Sequence, residues 1–383
     1  MDRKPIQDRN AKKIGDADKI ARFYGFQPIT PPTIEKQDFE YVKSFDQSSY
    51  PAEKAALLRM YFEDRMMSLP QPNMFYCERP FPGPKTLTGR KNPFRLEGAL
   101  ISLGSSKSVC ECLSIQAGMA ILADIGYKNV EIHINSIGDK DSANEFQKKL
   151  SLYVRKNFNS FPADLRQSIK KDLFAMLKEC KDEWQCFQTE CPKSIDFLSE
   201  SSRLHFKEII EFLEIMNIPY KINHHLVGDS DIGSETVFSI KEDNEELAYG
   251  FSFNRLAKKI GCKKDVPCCI LNISAKLKKK LTKVKAKIIK PDFYLVQFGP
   301  EAKLKSFIIL EELFKTGANI LHLIAKDKLG SQINIAETSG ASYILLVGQK
   351  EALENSVIIR HAVTRAQETV LITDLAVRVK GLI

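Results

Sequence analysis

No run in the sequence approaches the ~18 consecutive apolar residues that a membrane-crossing helix requires, so no membrane-spanning role is expected. The first residues, MDRKPIQDRNAKK, carry charge with no apolar stretch behind them, which is not the layout of a secretion signal. Cytoplasmic residence follows as the expectation. Cysteine is present nine times but not in metal-binding order: Cys180, Cys186 and Cys191 form C-x5-C-x4-C, and Cys268 and Cys269 are adjacent. Zinc sites favour tight C-x2-4-C pairs that together supply four ligands, and an odd total cannot close a full disulfide set. Buried thiols and no metal are expected. The six histidines are equally unhelpful for chemistry, because nothing pairs His224-His225 with a nucleophile or a metal-ligand spacing. Internal repeats and low-complexity tracts are missing too.

What is there is an ordinary globular composition, 43% apolar and 27% charged. At 383 residues the chain exceeds the size at which single cores stop growing, so two domains are expected. Its net charge of +9 is concentrated in residues 276–290, KLKKKLTKVKAKIIK, which hold eight lysines and no acid. Beyond Pro291 ten basic and ten acidic residues cancel, and residues 1–275 carry only about +1. Such a cluster suits a polyphosphate partner with salt-dependent affinity. Taken alone it suits a solvated connector equally well.

Local patterns place the elements. Asp16–Tyr24 reads as a helix stopped by Gly25, followed by the extended, proline-paired FQPITPPTIE. Ala52–Leu69 has helical apolar spacing and ends before Pro70, and the Pro- and Gly-rich residues 73–90 predict a long loop. Val109–Ile125 is a second apolar-faced helix, VEIHINSIGD a strand closed by Gly138-Asp139, and residues 140–220 read as almost wholly helical. Leu247–Ile260 reads as strand then helix. After the lysine segment, FYLVQFG, NILHLI and YILLVG alternate with helical stretches 301–316 and 328–340, and SVIIRHAV with ETVLITDL predicts an antiparallel pair. The last region is therefore a compact α/β domain with a mixed sheet.

Several stretches together carry a resemblance. They are GPEAKLKSFIILEELFKTG, LGSQINIAETSGASYILLVGQKEALENSVIIR and QETV near the end, then IHINSIGD and CPKSIDFLSESSRLHFKEIIEFLEIMNIPYKI, and finally YGFQPITPPTIE, LPQPNMFYCERPF…GRKNPFRLEG and LAYGFSFNRL. In order and spacing they resemble the class II histidyl-tRNA synthetase family from about residue 10 onward. The resemblance implies an α+β catalytic-like domain over 1–275, with an antiparallel six-stranded sheet flanked by helices and a helical insertion at about 140–220. The lysine-rich residues 276–290, read above from their charge, form the connector, and the resemblance implies an α/β anticodon-binding domain with a mixed sheet at 291–383. It places a dimer interface at the first motif, around Pro32, and a third-motif arginine at Arg255. RNA-facing positions would be Lys278, Lys279, Lys280 and Lys283 with Lys326, Lys328, Ser331, Gln332 and Arg360.

The same resemblance exposes departures. The second-motif arginine falls on Pro82 in an ungapped reading, with the glutamate on Pro84, or on Tyr76 in a gapped one that keeps Glu78 and Arg79. Substrate-facing polar positions fall on Ala52, Lys54, Leu96 and Leu100, the catalytic arginine of RGLDYY on Gly228, and its tyrosines on Ile232 and Gly233. A GGRYDGL segment finds no room, with about a dozen residues between Phe238 and Gly250. Amino-acid activation needs cations on the phosphates and fixed polar groups around the amino acid. The leading expectation is thus a non-catalytic paralogue: a dimeric accessory or regulatory protein that binds tRNA or other structured RNA, forming a homodimer or a heterodimer with a complete synthetase. No cofactor is expected. ATP and Mg enter only under the alternative of an active, divergent histidine–tRNA ligase. A second alternative, a regulatory subunit of ATP phosphoribosyltransferase, would lack the anticodon-binding domain.

Overall fold

A computed structural model describes residues 14–42, 50–83, 92–178, 191–228, 232–279, 283–284 and 290–383. The chain divides into two compact units. One contains the chain up to Ile29, Glu214–Asn217 and Lys280–Ile383, and the other contains Thr30–Leu213 and Ile218–Lys279. One division between these units falls at Lys280, within the lysine run, and the N-terminal helix α1 (Asp16–Phe23) is grouped with the C-terminal residues. The reason is packing: the Phe23 ring meets Phe314 edge-on at 5.1 Å, and His322 Nε2 lies 3.1 Å from the Phe23 carbonyl oxygen. Gly25, at φ +89, turns the chain where a Cβ would press on the His322 ring at 3.2 Å.

The larger unit opens with helices α2 (Lys36–Tyr41) and α3 (Pro51–Glu63) and the hairpin β1 (Asn73–Glu78) and β2 (Arg95–Leu103). Helix α4 (Val109–Asp124), strand β3 (Val130–Gly138) and helices α5 (Lys140–Asn157), α6 (Ala163–Lys171), α7 (Ala175–Lys178) and α8 (Glu200–Ile215) follow. Strands β4 (Tyr220–Ile222), β5 (Ser234–Glu242) and β6 (Glu245–Ser252), the short helix α9 (Leu256–Lys259) and β7 (Cys268–Lys276) complete it. The strands run β1-β2-β7-β6-β5-β3-β4, antiparallel throughout except for the parallel β3–β4 edge. Helix α4 is buried along nearly its whole first three turns, as an all-round apolar helix must be. Asp139 caps α5 by accepting from Ser142 N–H at 2.9 Å, and Phe146, Phe161, Leu165 and Phe174 give the insertion its own core.

Three local expectations change. Residues 73–78, expected to open the Pro- and Gly-rich loop, instead form β1, because NMFYCE pairs with β2. Helix α3 stops at Glu63, where Arg65 takes a left-handed conformation at φ 53. Among the described residues of 140–220, the helices are interrupted by turns and give way to β4 at Tyr220.

In the smaller unit, β8 (Phe293–Gln297), α10 (Pro300–Phe314), β9 (Ile320–His322), α11 (Leu329–Thr338) and β10 (Tyr343–Val347) alternate. Helix α12 (Gln349–Leu353), strands β11 (Ser356–His361) and β12 (Gln367–Leu371) and helix α13 (Ile372–Lys380) follow. The order β9-β8-β10-β11-β12 is parallel on one side and antiparallel on the other, the mixed sheet expected. The last strand ends at Leu371, so ITDL begins a helix instead of extending the pair.

Candidate functional site

The positions that the resemblance assigns to substrate are packed solid. Ala52, Lys54, Leu96, Leu100 and Ile232 are each at most 8% exposed. Lys54 Nζ sits 4.8 Å from the Phe251 ring centroid and 6.0 Å from that of Phe253, a cation–π arrangement. Phe251 also lines Gly228: a Cβ there would meet Phe251 Cδ2 and Gly233 Cα at 3.8 Å and Val237 Cγ2 at 3.5 Å. Next to Lys54, the buried Glu53 carboxylate accepts from Arg79 Nε at 2.8 Å and from Phe81 N–H at 3.2 Å. The Arg79 guanidinium lies over the Tyr50 ring at 4.1 Å. A buried pair of this kind is held by its extra hydrogen bonds, since both charges are desolvated.

The hairpin register bears on the second motif. Tyr76 lies within β1 opposite Leu100, and Glu78 opposite Gly98, while Pro82 lies beyond the strand. Tyr76 is buried, and its hydroxyl would stand 2.8 Å from a Cβ on Gly98, so glycine there is what admits the ring.

Arg255, the third-motif arginine, is half-buried at the start of α9. It follows β6, and β7 lies between β6 and the hairpin strand β2. Its guanidinium donates from Nε at 3.1 Å and from Nη2 at 2.5 Å to the Gly233 carbonyl oxygen. That bond ties the start of α9 to the 232–234 segment. Strand β7 does carry a signal in the sequence, since Leu271–Lys276 alternates apolar and polar residues, with Leu271, Ile273 and Ala275 buried and Asn272 and Ser274 half-buried.

In the smaller unit one assignment is corrected outright. Gln332 is fully buried and faces no ligand: its Oε1 accepts from Gln297 N–H at 3.1 Å, and its Nε2 donates to the carbonyls of Gln297 at 2.9 Å and Lys326 at 3.0 Å. Gln297 Nε2 in turn donates to the Ile324 and Lys326 carbonyls at 3.2 and 3.0 Å. Lys326 is half-buried and Lys328 exposed on the loop so held, and Ser331 is half-buried in the first turn of α11. Arg360 does not join them. It pairs with Ile344 near the start of β10, at the opposite end of the sheet from the loop that leaves β9.

Within the lysine segment, Lys278 pairs with Glu242 and lies 3.9 Å from the Tyr127 ring centroid, and Lys279 reaches Asp124 at 2.7 Å. Lys280, Lys285 and Lys287 and the Lys283 side chain lie outside the described residues, as do Cys180, Cys186, Pro84 and Arg90. Pro32 is half-buried in an extended segment fixed by Ile34 N–H donating to the Pro82 carbonyl at 2.7 Å. Cys268 and Cys269 are buried thiols that burial pushes well above the usual range.

One polar cluster has no signature in the sequence. Glu111 on α4 lies 3.2 Å from His205 Nε2 on α8 and accepts from Ser252 Oγ at 3.0 Å, and Ser108 donates to Glu208. Burial would depress the imidazole, but the Glu111 carboxylate, aided by Glu235 and Glu208, pushes it up to about 9. The residues lie on elements far apart in sequence, so no local spacing announces the cluster.

Residues 292–382 match the family described as anticodon binding domain. The chain is 27% identical over 382 residues to the histidine–tRNA ligase of Fervidobacterium nodosum, covering 92% of this chain and 89% of that one. It is 26% identical over 339 residues to the chloroplastic histidine–tRNA ligase of Porphyra purpurea, covering 85% and 76%. Among solved structures, apo Staphylococcus aureus histidyl-tRNA synthetase shares the fold, with a TM-score of 0.52 at 20% identity over 95% of this chain and 93% of that one. Among the described residues, no helix is long and apolar enough to cross a membrane.

Proposed function

The chain belongs to the class II histidyl-tRNA synthetase family, and from that premise we propose that it is a non-catalytic paralogue, an RNA-binding accessory or regulatory protein of the cytoplasm. The observation that carries this reading is Phe251, whose ring lies against both Gly228 and the Lys54 ammonium. Gly228 falls where the family's catalytic arginine would stand, and Lys54 where a substrate-binding threonine would. An apolar ring in that place stabilises neither a carboxylate nor a phosphate. Removing one electrostatic group from an active site costs about 10²–10³ in rate, and here several are replaced together. The C-terminal domain, by contrast, keeps its fold and two lysines on a rigidly held loop, which suits phosphate positioning. On this reading the protein needs neither ATP nor Mg, and its partners are tRNA or another structured RNA and a second synthetase-fold chain.

The test is histidine-dependent ATP–pyrophosphate exchange by the purified protein. Exchange indistinguishable from a no-enzyme control is expected. Exchange above that control would instead support the active-ligase reading.

A further inference from the structure

Strand β9 (Ile320–His322) is an outer strand of the C-terminal mixed sheet. β8 pairs with one side of it, and among the described residues no strand pairs with the other. An open edge offers unpaired backbone groups to any other chain, and folded proteins keep such edges short or cover them. Here the cover comes from the opposite end of the chain. His322 Nε2 lies 3.1 Å from the Phe23 carbonyl oxygen, and a carbonyl can only accept, so Nε2 carries the proton. Nδ1 is buried with no partner among the described residues, and burial holds the imidazole down at about 4, so the ring is neutral. That hydrogen bond ties β9 to the end of α1.

Helix α1 is shaped for this seat. Ala17, Ile20, Ala21 and Tyr24 are buried and recur at helical spacing, which gives the segment one apolar stripe. The Phe23 and Tyr24 rings stand 5.1 and 5.7 Å from the ring of Phe314, the last residue of α10. Phe26, just past the turn at Gly25, is fully buried. Ahead of the helix, Ile14 and Gly15 pair antiparallel with Val284 and Lys283, on the chain's way into the C-terminal domain. Residues 292–382, the stretch that matches the anticodon binding domain family, contain Phe314 and His322 but none of the residues that cover them. That stretch by itself would leave the Phe314 ring and the β9 edge to solvent.

We propose that residues 14–26 are a clip over the outer edge of the C-terminal sheet, so that the working C-terminal domain is assembled from both ends of the chain and β9 is kept from pairing with another molecule. Hydrogen exchange read by mass spectrometry on the full-length protein tests the clip, with F23A, F314A and R22A variants. F23A changes no residue of the C-terminal domain. It should nonetheless speed exchange roughly 10- to 100-fold in both 16–26 and 319–324, because the two segments open as one unit. F314A should do the same from the other side, and F23A carries the test by itself should F314A fail to fold. R22A, which alters an exposed side chain of the same helix, should match the wild type. Peptides from β2 and β7 in the larger unit should keep wild-type rates in every variant. If 319–324 stays at the wild-type rate in F23A while α1 opens, the clip does not cover the edge and the proposal fails. Acceleration spread evenly over β2 and β7 overturns it as well, since the loss is then global. Light scattering reads the edge itself: F23A should form larger species than the wild type at equal concentration, and an unchanged size removes the protective role.

Discussion

The His205 imidazole, pushed up to about 9 by the buried Glu111 carboxylate, links stability to pH at the level of a single residue. Its folded value lies above the ~6.5 of an unperturbed histidine, so the folded state holds the proton more tightly than the unfolded chain does. The contribution is fully present below pH ~6.5 and is lost as pH rises towards 9. Its size is on the order of 3 kcal/mol at most, at 1.36 kcal/mol per unit. Urea unfolding of the wild type should therefore show a falling midpoint between these pH values, and His205→Phe should be less stable at pH 6 and show a flatter profile. An unchanged slope in the variant would remove the ion pair as the cause. His322 works in the opposite direction: burial pushes it down to about 4, so its neutral ring beside Gly25 favours the fold above pH ~6.5 and stops doing so on acidification.

Among the elements, the lysine segment gains definition from its two described members. Lys278 and Lys279 already have carboxylate partners in Glu242 and Asp124, so each would surrender an ion pair to reach a phosphate. The stronger RNA attraction is therefore expected from the lysines beyond them. Replacing Lys278, Lys279, Lys280, Lys283, Lys285 and Lys287 with Gln should weaken binding to all RNAs alike and flatten the salt dependence. The slope of log K against log salt should drop by about 0.7–0.9 for each phosphate no longer neutralised, with K278Q/K279Q alone accounting for little of it. Filter binding at several salt concentrations reads both, and an unchanged slope in the six-site variant would make the segment a plain connector. The hairpin shows the limit of element-level reading. A strand of six residues is hidden by the prolines that follow it.

At the scale of the whole molecule, the proposed function calls for a dimer through the segment around Pro32, where the family resemblance places the interface. The purified chain should then scatter light as about twice its 43.4 kDa at micromolar concentration. A species of only 43.4 kDa would rule out the homodimer and leave pairing with a complete synthetase as the form to test. Charge is also organised at this scale. The C-terminal residues beyond Pro291 are neutral overall, so the net positive charge that would attract RNA at long range lies in the segment before them.

The sequence by itself carried the family resemblance and the mixed C-terminal sheet. These are carried by ordered motifs and by strand–helix alternation, both of which are linear properties of the chain. Tertiary structure decided what the retained polar residues do. Gln332 was legible as a polar residue in an α-helical first turn, but only the approach of β8 makes it an internal tie between backbone carbonyls instead of a reader of bases. Arg255 was legible as a motif arginine, and only the fold brings the Gly233 carbonyl to its guanidinium. Phe298 looked like the end of an apolar run, and only Gly299 and the bond from its N–H to the Val347 carbonyl leave it facing solvent. A side chain's partners are set by which elements the fold brings beside it, and sequence spacing reports that only within one helix or strand.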